Sequence, residues 1–389
     1  MRLAGLTGAG LRRRYHEELF GVCLPFWEEH GIDHEQGGFF CGLDYDGTRR
    51  SAVKFPWFQG RGLWVYSFLY NHFGGDPRHL AVARRTKEYV LAERRTVEPA
   101  TGDVYGPYFA AEGLQEYAWA ARDDEAREIA FALLRGLWEH IHQPGCWSMR
   151  PQGLWMVNLR IATQMLRRWP DDWLEEVAER SVNAIIHRHY NPEIGLNSEV
   201  LNFDFSRPAE EATKCNLGHS VETLWMVMDE AERRGDRALW EVCAERVRRH
   251  LEVGWDPVFG GLCAWVNVGQ PDYEWPIERP VGTDLEFRAT GEFHHMKSLW
   301  ALHEVLIATL MVFERTGAEW AAHYFGMAQQ VIDENFSMRR RGLPGYMLFA
   351  DREMRPQEHV ARQDNYHPAR QLMLCLLMLE RMMPRDGGE

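Results

Sequence analysis

The sequence predicts a single all-α domain built as a ring of helical hairpins, with short extended segments in the loops on one face. Three observations support this prediction: long segments have helical periodicity, strand-like alternation is scarce, and a polar, glycine-containing turn recurs between helices. An irregular all-α fold is the alternative. The 389 residues contain no Ser/Gly/Pro-rich linker and no block of like charge, so we expect residues 1–389 to form one domain.

Apolar residues recur at helical spacing in several long segments. In MKSLWALHEVLIATLMVFERTG, the positions Leu299, Leu302, Leu306, Leu310 and Phe313 follow one another at intervals of three or four residues. The same spacing occurs in NLRIATQMLRRW, LEEVAERSVNAIIHRHY and ALWEVCAERVRRHLEVGW. Because no strand–helix alternation with a Gly-rich turn accompanies these segments, a doubly wound sheet or a (β/α)8 barrel is disfavoured.

The recurring turn consists of polar residues, one or two glycines and a short apolar extended piece. It is found in DHEQGGFF (33–40), NPEIGLNS (191–198) and DPVFGGLCAW (256–265). Helical pairs joined by such turns indicate a closed ring in which the inner helices present their N-terminal ends to a central cleft. The helix beginnings in WFQGRGLW, NLGHSVETLW and NYHPARQL are therefore expected to meet around one pocket.

Charge and composition exclude several classes of function. The net charge of −13 argues against a nucleic-acid or anionic-membrane surface, since both need a basic field. No apolar stretch approaches the roughly 20 residues that span a bilayer, and the N-terminus lacks the apolar core of a secretory signal. The seven cysteines form no C-x-x-C pair, which fits reduced thiols in a cytoplasmic protein. Without an H-E-x-x-H or C-x-x-C pattern, we expect no metal site.

Aromatic residues and one arginine indicate a sugar cleft. Sixteen tryptophans are many for this length, and the flat faces of Trp rings match the C–H faces of sugars. In KFPWFQGRGLWVY, Gly60 and Gly62 flank Arg61 and would leave its guanidinium uncrowded beside Trp57. A planar cation with five donors suits sugar hydroxyls or a developing oxyanion. An arginine in a structural ion pair is the alternative.

The segment KCNLGHSVETLW contains a candidate acid–base group. His219 and Glu222 are three residues apart and share a helix face, where a carboxylate could hold or tune the imidazole. Asn216 is a suitable N-cap, and Gly218 would leave room for a ligand. A hydrogen-bonded core histidine is the alternative.

Two further segments carry polar residues at helix-like spacing. In NYHPARQLM, Asn365 or His367 can cap a helix whose first turn contains Pro368, and Arg370 follows the histidine by three positions. The segment LWALHEVL contains three further candidates, Trp300, His303 and Glu304. The last two are adjacent, so their side chains point about 100° apart and are not expected to serve one reacting atom.

Six stretches of the chain, in order, resemble recurring stretches of the N-acylglucosamine 2-epimerase family, also called the renin-binding protein family. They are FWEEHGIDHEQGGFF, WFQGRGLWVY, GHSVETLW, GWDPVFGGL, MKSLWALHEVLIATL and YHPARQLMLC. The resemblance covers nearly the whole chain. It implies an (α/α)6 barrel and reversible epimerisation at C2 of an aldose or an N-acyl hexosamine. Relatives act on mannose, glucose or β-1,4-linked disaccharides, and some are aldose–ketose isomerases.

The resemblance also implies residue roles. The family's two catalytic histidines correspond to His219 and His367, and its substrate-contacting arginine corresponds to Arg61. Acidic family residues match at Glu222 and Glu304. Four other residues of these segments complete the predicted substrate-binding set: Trp57, Trp300, His303 and Arg370. Leu302 occupies the place of a histidine in the acetylhexosamine branch, which leaves open whether the sugar is N-acetylated, free or a disaccharide.

The expected reaction needs no metal, nicotinamide or other electron sink. ATP is an effector in some relatives, but the chain has no G-x-x-x-x-G-K-[ST] loop, so ATP hydrolysis is not expected. The expected partner is a small mono- or disaccharide, with neither nucleic acid nor membrane, and homodimerisation stays open. An aldose–ketose isomerase is the first alternative. A glycoside hydrolase or lyase using paired carboxylates and a non-catalytic sugar- or protein-binding module are the others.

Overall fold

Long helices dominate the computed structural model, which describes residues 2–93, 97–98, 104–143, 149–268, 296–346, 349–356 and 362–383. Within these ranges twelve long helices alternate between an outer and an inner position. The outer helices are α1 (Gly8–Glu18), α3 (Pro77–Ala92), α5 (Asp124–His142), α7 (Asp172–Asn183), α9 (Arg237–Gly254) and α11 (Glu319–Val331). The inner helices are α2 (Pro56–His72), α4 (Tyr105–Ala121), α6 (Gln152–Leu166), α8 (Leu217–Arg234), α10 (Leu299–Thr316) and α12 (His367–Met382).

The six inner helices form a closed ring. Each packs against the next inner helix along the chain, and α12 packs against α2. Each outer helix covers an inner one: α1 packs on α12, and α3, α5, α7, α9 and α11 pack on α2, α4, α6, α8 and α10, respectively. This arrangement is an (α/α)6 barrel, and it confirms the predicted fold class.

Burial explains the two helix classes. Every residue of α6 is buried, because its whole circumference faces either the ring interior or the outer layer. The outer helix α7 buries one stripe, formed by Leu174, Val177, Ala178, Ser181 and Val182, and its other faces are polar. Burial on all sides therefore accompanies this inner helix, including its polar residues, whereas the outer helix is amphipathic.

The helices α2 and α4 approach each other closely because both carry glycine at the contact. A Cβ atom on Gly60 would lie 2.2 Å from the backbone carbonyl carbon of Phe109, and one on Gly113 would lie 2.5 Å from the carbonyl oxygen of Gly60. Gly62 similarly faces the Phe39 ring. The expectation that these glycines keep Arg61 uncrowded was wrong, because they are needed for helix packing.

The recurring turn predicted from the sequence is present, and in two of its copies a buried lysine anchors it. In the first copy, Asp33 accepts hydrogen bonds from two backbone N–H groups of the turn, and its Oδ2 lies 2.6 Å from Lys54 Nζ. In the later copy, Asp256 is 2.9 Å from Lys297 Nζ. Each lysine lies immediately before an inner helix, so the ion pair fixes the turn to the beginning of that helix.

Short antiparallel strand pairs are concentrated at the end of the barrel where the inner helices begin. The pairs there are β3 (Met149–Pro151) with β6 (Val200–Asn202), β4 (Tyr190–Asn191) with β5 (Leu196–Asn197), β7 (Lys214–Asn216) with β8 (Trp265–Asn267), and β9 (Lys297–Ser298) with β10 (Phe349–Ala350). A further pair, β1 (Arg2–Leu3) with β2 (Leu6–Thr7), precedes α1. Of the helices described, none combines the length and apolarity needed to cross a lipid bilayer.

Candidate active site

His219 lies in the first turn of α8, at the end of the barrel that carries the strand pairs. Asn216 caps the helix as predicted, because its side-chain oxygen accepts a hydrogen bond from the His219 backbone N–H at 3.1 Å. The predicted role of Gly218 was wrong. A Cβ atom there would lie 2.5 Å from Cη2 of Trp300, so the glycine makes room for this indole and not for a ligand.

Glu199, which the sequence analysis missed, holds the imidazole of His219. Its Oε1 lies 2.9 Å from His219 Nδ1, and it belongs to the turn between β5 and β6. Burial lowers the pKa of His219, but the charge and the hydrogen bond of Glu199 outweigh it and raise that pKa to about 9. Glu222 had been expected to hold His219. It adds only a further negative charge nearby, and its own hydrogen bond is to Arg370.

His367 begins helix α12 and has a carboxylate partner of its own. Asp364 Oδ2 lies 2.5 Å from His367 Nδ1, while Asp364 Oδ1 accepts hydrogen bonds from the backbone N–H groups of Tyr366 and His367. Tyr366 holds the N-cap position without a side-chain cap, and Asp364, two residues earlier, accepts the first N–H of the helix instead; the expectation that Asn365 or His367 caps the helix was wrong. Burial raises the pKa of Asp364, but the charge and hydrogen bond of His367 outweigh it and hold that pKa far below its usual range.

Trp300 lies between the two histidines. Its ring centroid is 5.4 Å from that of His219 and 5.6 Å from that of His367. Both imidazoles use Nδ1 for a carboxylate, and neither Nε2 has a hydrogen-bond partner among the described residues. The structure thus brings these three predicted residues together, and the Nε2 atoms of the two histidines are free for a ligand.

Behind the histidines, Arg370 joins two buried carboxylates. Its Nη2 donates to Glu222 Oε1 at 2.5 Å and to Glu304 Oε1 at 2.7 Å, and Trp225 donates to the other oxygen of Glu304 at 2.8 Å. Arg370 and Glu304 are fully buried. Both were predicted to contact the substrate, and this prediction was wrong because neither side chain is exposed. Arg370 instead holds Glu222, and Glu304 is its second carboxylate partner.

The two carboxylates have opposite pKa shifts. Burial raises the pKa of Glu222, but the charges of Arg370 and the two histidines outweigh it and lower that pKa. Burial and the neighbouring Glu222 raise the pKa of Glu304 despite Arg370. One potential ligand atom from each of Glu222, Glu304 and His367 lies within 4.8 Å of the others, a spacing that a cation could use. The guanidinium of Arg370 already donates to both carboxylates.

The buried polar network continues along the barrel axis. Arg370 Nη1 donates to the Tyr366 hydroxyl at 3.1 Å, and this hydroxyl donates to Glu112, whose two oxygens lie 3.0 and 3.1 Å away. Gln164 also donates to Glu112 at 3.0 Å, and the Arg160 guanidinium is 3.4 Å from it. The interior of the barrel is therefore filled by hydrogen-bonded charges, which fix the position of Arg370 and so of Glu222.

Arg61 lies among aromatic rings near the beginning of α2. Its guanidinium carbon is 3.9 Å from the ring centroid of Phe109, 5.0 Å from that of Tyr366 and 5.9 Å from that of Trp57. Arg61 forms no ion pair with any carboxylate of the described residues, and its buried Nε lacks a hydrogen-bond partner. The alternative of a structural ion pair is thus not supported. Trp57, as predicted, contributes a wall of the same aromatic group.

His303 is buried in α10, and its Nδ1 has no hydrogen-bond partner. Burial, and then the charges of His367 and Arg370, lower its pKa to about 3, so the imidazole is neutral at ordinary pH. The adjacent Glu304 is directed to Arg370 and Trp225 instead. The two side chains diverge, as expected for neighbours on a helix.

No model of a known protein family matches the chain. Among curated proteins, N-acylglucosamine 2-epimerase of Mus musculus is 26% identical over 349 residues, which cover 81% of this chain and 78% of the relative. Cellobiose 2-epimerase of Bacteroides fragilis is 21% identical over 330 residues, covering 72% of this chain and 83% of that protein.

This chain resembles the 2-epimerases. The resemblance expected from the six sequence stretches is confirmed, and it extends over most of the chain.

Solved structures share the fold across almost all of both chains. Cellobiose 2-epimerase from Bacillus thermoamylovorans B4167 has a TM-score of 0.77 at 18% identity, with 95% of this chain and 99% of that chain covered. A D-mannose isomerase has a TM-score of 0.74 at 13% identity, with 96% and 97% covered. An inactive variant of an α-1,6-mannanase of Salegentibacter sp. HEL1_6 has a TM-score of 0.60 at 11% identity, with 97% and 99% covered. At these identities the similarity establishes the barrel alone.

Proposed function

We propose that the protein is a sugar 2-epimerase that interconverts the C2 epimers of an aldose, either N-acetylated or unmodified. One observation supports this most strongly. Two imidazoles, each held at Nδ1 by a carboxylate, flank Trp300 with their Nε2 atoms free. Inversion at C2 needs two proton-transfer groups on opposite faces of a planar intermediate, and the two imidazoles suit that requirement.

The proposed reaction begins with the open-chain aldehyde. One imidazole removes the C2 proton, the electron pair moves into the C1–C2 bond, and the carbonyl oxygen becomes an enediolate oxyanion. Arg61, which has no carboxylate partner among the described residues, is the proposed oxyanion partner. The other imidazole then delivers a proton to the opposite face of C2, and the aldehyde re-forms with inverted configuration.

The two histidines are proposed to take opposite roles in each direction of the reaction. With a pKa of about 9, His219 carries its proton at neutral pH and is the proposed acid for one direction. His367 is the proposed base for that direction, and the roles exchange in the other. Glu199 and Asp364 are proposed positioning residues, since each holds Nδ1 and so orients Nε2.

Cofactor use and cellular setting are also proposals. Deprotonation next to a carbonyl and reprotonation at the same carbon involve no net oxidation, so we propose a reaction that needs no resident metal or nicotinamide. A reducing, cytoplasmic setting is proposed from the six cysteines described as free and buried, four of which have a pKa raised to about 12 by burial.

An aldose–ketose isomerase is the second candidate. The same enediolate gives a ketose when the proton returns to C1, and the fold of a D-mannose isomerase is similar over 96% of this chain. The two reactions differ in where the second proton is delivered, which depends on the position of the bound sugar.

Incubation with a sugar panel in D2O tests the proposal. The panel contains N-acetylglucosamine, N-acetylmannosamine, glucose, mannose and cellobiose, with 1H NMR as the readout. Deuterium at C2 together with a new epimer is the expected result for one of the pairs. A ketose with deuterium at C1 would identify the isomerase, bond cleavage would identify a hydrolase, and no exchange with any of the sugars would contradict catalysis on this class.

A further inference from the structure

A second cleft lies at the end of the barrel opposite the candidate active site. It has a volume of about 510 Å³ and is formed where α2, α4 and α6 end and α5 begins. Its lining includes Tyr70, Asn71, Trp119, Arg122, Asp123 and Trp169. At 1.5 Å per residue, α2 places Asn71 about 20 Å from Trp57, so the two sites cannot hold the same ligand.

Trp119 forms a flat, exposed wall of this cleft, and a hydrogen-bonded arginine packs against its ring. The side chain is 51% exposed, and Trp119 is among the few large hydrophobic residues of the described part of the chain that are exposed. The Arg168 guanidinium lies over the ring at 5.5 Å from its centroid and is itself held by Gln115 at 3.0 Å and Glu116 at 2.7 Å. The indole is therefore held in place by the protein before any ligand binds.

A second indole and an amide give this cleft the other features of a binding site. Trp169 meets Trp119 edge to face, with centroids 6.5 Å apart and an interplanar angle of 73°. Asn71 Nδ2 donates to Glu116 Oε1 at 2.6 Å, and its side-chain oxygen has no hydrogen-bond partner among the described residues. The cleft thus combines two differently oriented aromatic surfaces with an oriented acceptor.

Most charges around the cleft are paired with one another. Its lining contains Arg122 and Arg127 together with Asp123 and Asp124. Arg127 is paired with Asp124 at 3.0 Å, and the carboxylate of Asp123 is held by Lys87 at 3.1 Å. Among the described residues, three of these four groups are therefore paired, and Arg122 is the one charge of the lining left to a ligand, to whose hydroxyls a guanidinium can also donate.

From these features we propose that the cleft beside Trp119 binds a neutral carbohydrate, a mono- or disaccharide, separately from the catalytic pocket. The C–H face of a pyranose packs on a flat, preoriented indole, and its hydroxyls bond to paired charged groups and amides without needing a net charge. The volume lies within the range of roughly 300–1,000 Å³ that small-molecule sites occupy. Arg122, exposed and without an ion pair among the described residues, is a further donor at the rim.

A non-reducing sugar tests this site without interference from turnover. Methyl β-cellobioside cannot open to an aldehyde, so it is not a substrate for C2 chemistry. The full-length protein is labelled with 5-fluorotryptophan and titrated with this glycoside, and the 19F resonances of its sixteen tryptophans are assigned by single Trp→Phe variants. We expect saturable shifts of the Trp119 and Trp169 resonances, and we expect Trp119→Ala to weaken that binding by about tenfold or more.

Two variants provide the controls. Trp320→Ala removes a partly buried indole from α11 and should leave the titration unchanged. His219→Ala alters the catalytic pocket and should also leave the Trp119 shifts unchanged, so failure of the proposed epimerase function would not affect this result. A circular dichroism spectrum unchanged from that of the wild type shows that Trp119→Ala is folded.

Three outcomes would overturn the proposal. Shifts confined to Trp57 and Trp300 would place the glycoside in the catalytic pocket alone. Shifts produced by inorganic phosphate and not by the glycoside would identify an anion site. A Trp119 resonance that changes with protein concentration, together with a dimer in sedimentation that Trp119→Ala dissociates, would identify the indole as a subunit contact.

Discussion

The two histidine–carboxylate pairs contain the same groups but are built differently. Asp364 and His367 are three residues apart in one helix beginning, and both side chains are nearly buried. Glu199 reaches His219 from a hairpin twenty residues earlier, and the His219 side chain is 34% exposed. The first pair depends on local geometry, whereas the second depends on how the hairpin packs against α8. Substitution of Asp364 should therefore act through the beginning of helix α12, whereas substitution of Glu199 should act through the pKa of His219.

The largest expected effect comes from removing either imidazole. His219→Ala and His367→Ala should each reduce epimer formation by about 10²–10⁴-fold or more, since a proton-transfer group is lost, while the circular dichroism spectrum stays unchanged. The exposed His323 supplies a matched control, and His323→Ala should be close to wild type. Near-wild-type epimerisation by either active-site variant would contradict the assignment of that histidine.

Arg370 stands behind both pairs, and its loss should be the next largest effect. Arg370→Met would leave Glu222 and Glu304 buried without a counter-charge, so unfolding free energy should fall by about 3–5 kcal/mol in chemical denaturation. Arg381→Met removes an arginine from an exposed pair with Glu314 and should cost only about 0–1 kcal/mol. Equal losses of unfolding free energy in the two variants would show that the buried network contributes no more to stability than the exposed pair.

Arg61 lies close enough to both pairs for its charge to lower the pKa of Asp364 and of His219. If it stabilises the enediolate, Arg61→Ala should reduce kcat/KM by about 10²-fold, with a fall in kcat as well as a rise in KM. Steady-state kinetics at saturating and low sugar concentration separates these quantities. An unchanged kcat/KM would assign the residue a structural role only.

Asp364→Asn tests the locally built pair. The amide can still accept the backbone N–H bonds that cap α12, so stability should fall by no more than about 1 kcal/mol, as judged by chemical denaturation. The imidazole loses its anionic partner, so kcat should fall while KM changes little. Asp364→Ala also loses the cap and should be less stable than Asp364→Asn; equal stability of the two would argue against the capping role.

Glu199→Gln should produce the smallest change, a displaced pH profile. Glu199 raises the pKa of His219 to about 9, so a reaction that uses protonated His219 loses activity as pH rises through that value. Without the anion, burial lowers that pKa, and the alkaline limb of the kcat profile should move to lower pH. Activity at pH 6 should therefore be retained better than activity at pH 8.5. If the alkaline limb stays at the same pH in Glu199→Gln, a group other than His219 causes it.

The difference between the two pairs also explains which carboxylate partner could be predicted from the sequence. Asp364 precedes His367 by three positions in DNYHPAR, a local spacing at which a carboxylate can reach the first N–H groups of a helix, although Asn365 and His367 were the predicted caps. Glu199 lies just beyond the recurring turn NPEIGLNS, and no local spacing relates it to His219. A local partner can be found from helix geometry, whereas a distant one requires the packing of the hairpin.

The sequence by itself determined the all-α class, the inner and outer helices and the recurring turns, because periodicity and glycine placement act over a few residues. It also predicted that the helix beginnings with Arg61, His219 and His367 meet around one pocket, and it included Trp300 among the substrate-binding residues. Only the tertiary structure decided that Gly60 and Gly218 serve packing, that Glu304 and Arg370 are buried behind Glu222, and that Glu199 holds His219. Those relations depend on contacts between segments far apart in the chain, which local pattern does not encode.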